Sequence, residues 1–95
     1  MMRFCDKLRE LRESRVLLQR QLAASLEIDT PMYSKIERGE RRAKREQVSL
    51  LGKLLETNTD DLLTLWLADL IYDLVKEEPM GLKSLKIVER KLKNK

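Results

Sequence analysis

Between residues 35 and 45 the chain carries Lys35, Arg38, Arg41, Arg42, Lys44 and Arg45, and just ahead of them stand the hydroxyls of Thr30 and Ser34. Ammonium and guanidinium groups at this density can displace counterions from a phosphate backbone, which supplies affinity without regard to base sequence. A lysine can also donate to guanine O6 and N7, and a threonine can hydrogen-bond to a base or touch a thymine methyl. The chemistry open to this stretch is recognition of a polyanion, with some capacity to read base edges. Turnover chemistry is not expected. The sequence has no histidine, and no metal-ligand cluster, Gly-rich phosphate loop or nucleophile with an evident base can be read from it. An enzyme is therefore not expected, and neither a cofactor nor a metal is implied.

Charge is unevenly spread: residues 1–29 carry a net +1, residues 30–53 a net +4, residues 54–78 a net −6 and residues 79–95 a net +5. A basic block beside an acidic one suits a polyanion-binding face with a separate solvated or partner-binding face. Cys5 is the only cysteine, so no intramolecular disulfide is possible and a reducing compartment is the default. It reads as a small apolar residue on the first helix. No apolar run reaches transmembrane length, and residues 1–20 are too charged for a signal peptide, so a soluble intracellular protein is expected.

These groups must be positioned by helices. Leucine dominates the apolar residues, and Leu, Glu, Lys, Arg and Gln lose little rotamer freedom in a helix. Runs of alternating β-branched residues are absent, so the class is all-α. Phe4, Leu8 and Leu11 predict an amphipathic helix over 4–15, and Leu22, Ala23 and Leu26 a short one over 19–26. After a very short connection, Thr30-Pro31 opens a helix over 30–38, with Thr30 as its cap and Gly39 as its left-handed stop. Val48, Leu51, Leu54 and Leu55 predict a helix over 45–56. Thr59-Asp60-Asp61 caps a long helix to about residue 76, and Pro79 and Gly81 precede a final basic segment, Leu82 to Leu92. Leu22, Ala23, Ile28, Tyr33 and Ile36 face inward in this scheme. Helix, short connection, helix is the geometry of a helix-turn-helix, whose second helix lies in the major groove of DNA.

Leu17-x-Gln19-x-x-Leu22-Ala23, followed by Tyr33-Ser34-Lys35-Ile36-Glu37-Arg38-Gly39-x-Arg41, resembles the Cro/cI-type (xenobiotic-response-element) helix-turn-helix regulators over about residues 3–63. The resemblance implies a five-helix lambda-repressor-like DNA-binding domain over 1–63, with 64–95 as a longer C-terminal helical extension. It places Thr30, Pro31, Met32, Ser34 and Lys35 at or near base edges. It places Gln19, Arg38, Arg41 and Arg42 at the phosphates, and the positive charges of Arg20, Lys44 and Arg45 are expected to contact phosphates as well. It also implies that Arg12 and Glu37 form an internal ion pair joining the first and third helices. Leu18 stands where the family usually has a Ser or Thr cap, a loss of about 1 kcal/mol, and Glu27 where a left-handed Gly is usual. Pro31 and Met32 cannot make bidentate base contacts, so DNA shape is expected to contribute to recognition. Met32 can touch a thymine methyl or pack locally.

Beyond residue 63 a broad apolar stripe includes Leu63, Trp66, Leu67, Leu70, Ile71 and Leu74. Burial in a homodimer, with these residues at the interface, is the favoured expectation. The alternative is that Leu82, Leu85, Val88 and Leu92 fold back over the stripe. A two-fold dimer would match a palindromic operator. The function expected is that of a sequence-specific, repressor-like transcriptional regulator in a bacterial or phage-encoded, cytoplasmic and nucleoid-associated setting. The competing class is a protein–protein adaptor or antitoxin-like partner on the same fold. The basic tail is read as a solvated face rather than a membrane contact.

Overall fold

The computed structural model describes residues 2–95. All regular structure among them is helical: α1 Phe4–Ser14, α2 Gln19–Ser25, α3 Thr30–Glu37, α4 Arg45–Leu54, α5 Thr59–Val75 and α6 Gly81–Lys93. Each segment predicted from periodicity is a helix, with ends shifted by at most two residues, the usual uncertainty of frayed termini.

One core holds α1 to α5 together. Phe4 and Leu8 from α1 meet Leu22 and Ala23 from α2, Tyr33 and Ile36 from α3, Val48 and Leu51 from α4, and Leu62 from α5. The expected inward residues of α2 and α3 are in this core or, for Ile28, packed at its edge. Cys5 is buried on α1, as its size and polarity suggest. The closest helix pairings are α2 with α3 and α4 with α5, with α1 lying across α3 and α5. Gly52 is buried inside α4 because α5 starts against it. A Cβ at this position would lie 3.2 Å from Thr59 Cα and run into the Thr59 hydroxyl.

Local backbone chemistry explains the turns and corrects two expected caps. Asp29, not Thr30, is the N-cap of α3: its backbone is extended and its Oδ1 accepts from Met32 N at 2.7 Å. Thr30 is therefore the first helical residue and Pro31 the second, where the missing N–H costs nothing. Asn58, not Thr59, caps α5, with Oδ1 accepting from Asp61 N at 3.1 Å. Leu18 is the N-cap of α2 and offers no side-chain cap, but Gln21 Oε1 reaches back to accept from Leu18 N at 2.7 Å. Glu27 is left-handed as expected, with φ 59°, and Gly39 ends α3 at φ 76°. Val16 and Glu56 also lie in the left-handed region, at 55° and 50°.

α5 runs unbroken through residues 63 and 64, so the C-terminal extension grows out of a helix that the core itself uses. The expected alternative of α6 folding back over α5 is not realised within the chain, since α6 packs extensively against no other helix. The result is an elongated body, 42 × 26 × 21 Å.

Candidate nucleic-acid interface

The α2–turn–α3 unit is closed by backbone bonds from Leu26 N to Leu22 O, Glu27 N to Ala24 O and Ile28 N to Ala23 O, all between 3.0 and 3.1 Å. The left-handed Glu27 lets the chain reverse in so few residues, and the Asp29 cap then fixes the first turn of α3. At 100° per residue, Tyr33, Ile36 and Glu37 share one side of α3, and all three are buried. Pro31, Ser34, Lys35 and Arg38 share the opposite side, while Thr30, about 20° from Glu37 by the same angle, is exposed because it stands in the first turn. Thr30, Pro31, Lys35 and Arg38 are exposed, Ser34 is half-buried, and Met32 sits half-buried at the edge between the two faces.

The outward face is held from behind by a buried charge. Glu37 is 3% exposed, and Arg12 grips its carboxylate with two bonds, Nε to Oε2 at 2.6 Å and Nη2 to Oε1 at 3.0 Å. Arg12 Nη1 also donates to Leu17 O at 2.8 Å, and Gln19 Nε2 donates to Glu37 Oε1 at 3.2 Å. One carboxylate thereby ties α1, the approach to α2, α2 itself and α3. Burial opposes its ionisation, but the hydrogen bonds from Arg12 and Gln19 outweigh that and hold its pKa below the ordinary carboxylate value. Tyr33 lies next to this charge with its hydroxyl buried and without a hydrogen-bond partner, and burial together with Glu37 pushes its pKa up. Tyr33 belongs to the core rather than to a stacking platform.

The expected contact residues are not all equally free. Thr30, Pro31 and Lys35 are exposed with no side-chain partner, as are Arg20, Arg41 and Lys44 among the described residues. Gln19 uses one amide N–H on Glu37 and keeps a second donor. Arg38 Nη1 donates to Ser34 Oγ at 2.6 Å, and its Nε pairs with Glu40, whose acidity that contact increases. Arg42 pairs with Asp73 of α5 at 2.7 Å, and Arg45 lies 6.0 Å from the centroid of the Trp66 ring. The basic loop is anchored to α3 by Glu40 N and Arg41 N, which donate to Lys35 O at 2.9 and 3.3 Å.

Three contacts in this region had no counterpart in the sequence reading. Trp66 Nε1 donates to Ala43 O at 2.7 Å, so this half-buried indole, expected near a dimer interface, is committed to the basic loop of its own chain. Asp69 Oδ2 accepts from Phe4 N at 3.1 Å and satisfies the start of α1. Asp73 holds Arg42, and the guanidinium keeps the carboxyl below its ordinary pKa. These pairs are 23, 65 and 31 residues apart in sequence, and no local pattern announces them. By contrast Leu67, Ile71 and Leu74 lie well exposed on α5, and Leu63 and Leu70 half-buried.

A family model described as a helix-turn-helix domain matches residues 3–66. Its span takes in α1 to α4 and the first part of α5, through Trp66. No curated protein and no solved structure matched the chain.

Proposed function

Because the chain belongs to the helix-turn-helix domain family, of the Cro/cI-like type, we propose that it is a sequence-specific regulator of transcription that binds double-stranded DNA through α3. The observation that carries this reading is the outward face of α3, where Pro31, Ser34, Lys35 and Arg38 stand together with Thr30 exposed at the helix start, braced by the buried Glu37 and flanked by the basic loop. Lys35 and Thr30 reach base edges, and Ser34 and Met32 sit close to the groove floor. Gln19, Arg20, Arg38, Arg41, Arg42, Lys44 and Arg45 meet the phosphates, where they set register and affinity. Regulation is by occupancy: a protein seated on an operator blocks access to it, which makes the regulator repressor-like. A homodimer built on Leu63, Leu67, Leu70, Ile71 and Leu74 reads a palindrome with half-sites about one helical turn apart. The setting is the cytoplasm of a bacterium, on its own or a phage's DNA; no described helix is long and apolar enough to cross a membrane.

The test is selection of bound duplexes from a random pool, with affinity measured across a salt series. A palindromic motif is expected. Lys35→Ala relaxes preference at one position of it, whereas Arg41→Ala weakens all sequences alike and lowers the salt slope by about one. No enrichment, together with negligible affinity at low salt, overturns the reading. The uncovered apolar face of α5 favours one second reading, an adaptor or antitoxin-like protein that binds a protein partner there.

A further inference from the structure

Leu63, Leu67, Leu70 and Leu74 are spaced four, three and four residues apart along α5. That is the 3.5-residue repeat of a coiled-coil seam, which keeps one narrow apolar line facing a partner helix. It borders the core side of α5, where Leu62 is buried and Leu65 and Trp66 pack inward, and its first residue, Leu63, also packs at the core's edge. Leu67 and Leu74 face out, 48% and 78% exposed, with Leu70 half-buried between them. Its own α6 does not cover it. Gly81 is buried against Val75, which lies about 100° around the helix from Leu74, so α6 leaves α5 on another side.

α6 has an unpartnered stripe of its own. Leu82, Leu85, Val88 and Leu92 fall on one face, bordered by Lys86, Lys91 and Lys93. Leu82 and Leu92 are 68% and 63% exposed. The two segments are opposite in overall charge, residues 54–78 carrying a net −6 and residues 79–95 a net +5, although Asp69 and Asp73 are already engaged with Phe4 N and Arg42. Pairing α5 with the α5 of another chain sets acid against acid, and pairing α6 with α6 sets base against base. We infer that the outward seam of α5 is the docking surface for α6 of a second copy of this chain, each copy giving its C-terminal helix to the other about a two-fold axis. Every such dimer contains the α5–α6 contact twice, which is the self-complementarity a two-fold interface requires. The exchange specifies how the dimer of the proposed regulator is built, and it rests on that reading for its use on DNA.

Sedimentation velocity of the full chain at tens of micromolar tests it. The chain sediments as a dimer whose dissociation constant rises with salt. Leu74→Asp, at an exposed position, and the α6 triple variant Lys86→Glu/Lys91→Glu/Lys93→Glu each weaken the dimer about tenfold or more, with helix content unchanged by circular dichroism. Glu77 and Glu78 are the exposed acids between the end of α5 and the start of α6, and mixing the α6 triple variant with Glu77→Lys/Glu78→Lys restores a dimer of one chain of each kind. A monomeric wild-type chain, an α6 triple variant that dimerises as tightly as wild type, or a mixture that stays monomeric overturns the exchange. Binding to a duplex with a single half-site at low salt, read by fluorescence anisotropy, needs only one domain, so it separates failure of the exchange from failure of the DNA-binding reading.

Discussion

Replacing Arg12 by alanine removes both bonds to Glu37 and leaves a carboxylate that is 3% exposed with only Gln19 and Tyr33 beside it. Taking one partner from a buried ion pair costs about 3–5 kcal/mol, because the remaining charge stays desolvated. For a chain of 95 residues that is a large part of the total stability, and it lowers the thermal midpoint by more than about 10 °C. The pH dependence is more diagnostic. In the wild-type chain the Glu37 pKa is lowered below its unfolded value of 4.5, so its contribution is present above that value and is lost as pH falls through the folded pKa. Without Arg12, burial, the largest influence, is opposed only by the weaker contacts with Tyr33 and Gln19 and raises the Glu37 pKa, so the sign reverses: Arg12→Ala is least stable at neutral pH and regains stability on mild acidification. Arg12→Met/Glu37→Gln, which leaves no buried charge, recovers much of the loss. Urea denaturation followed by circular dichroism at pH 7 and pH 5 measures all three. A loss for Arg12→Ala below about 1 kcal/mol, or a stability that falls on acidification as in wild type, refutes the claim that Glu37 is a buried anion held by Arg12.

Three further outcomes follow from single residues. Val16 is β-branched, left-handed at φ 55° and 88% exposed, so Val16→Gly relieves backbone strain without losing packing and stabilises by about 1 kcal/mol; an unchanged or lowered urea midpoint argues against strain there. Glu40→Gln frees Arg38 and removes a negative charge beside the proposed phosphate contacts, so non-specific DNA binding tightens and its salt dependence steepens; weaker binding in a filter or anisotropy assay contradicts that placement. Trp66→Phe keeps the ring but loses the bond to Ala43 O, which costs about 1 kcal/mol and loosens the basic loop; hydrogen exchange of the 40–44 amides should quicken, and unaltered exchange counts against Trp66 as the loop's anchor.

What could be read in advance tracks how local the physics is. The inward residues Leu22, Ala23, Tyr33 and Ile36 were legible because helical periodicity is written over a few turns, and Gly39 was legible because a left-handed stop favours glycine. The Arg12–Glu37 pair came from the resemblance, since residues 25 apart carry no local sign of meeting. The start of α3 at Thr30 agrees with the expectation, and only its cap differs, by one residue and for a simple reason. Asp29 and Thr30 are both capping types, and only the backbone decides which one stays extended while the next turns helical.

The sequence by itself determined the all-helical class, the helix-turn-helix unit and the basic loop, because amphipathic spacing, turn residues and charge density act between near neighbours. Tertiary structure alone decided which of those charges are free. It gave Arg42 to Asp73, Arg45 to the face of Trp66 and one donor of Gln19 to Glu37, while Lys35 and Arg41 kept theirs. It also decided that α6 departs beside Val75 and leaves the seam of α5 open. The reason is geometric: a side chain's partner is set by how helices cross, and crossing depends on the packing of the whole core rather than on any short stretch of chain.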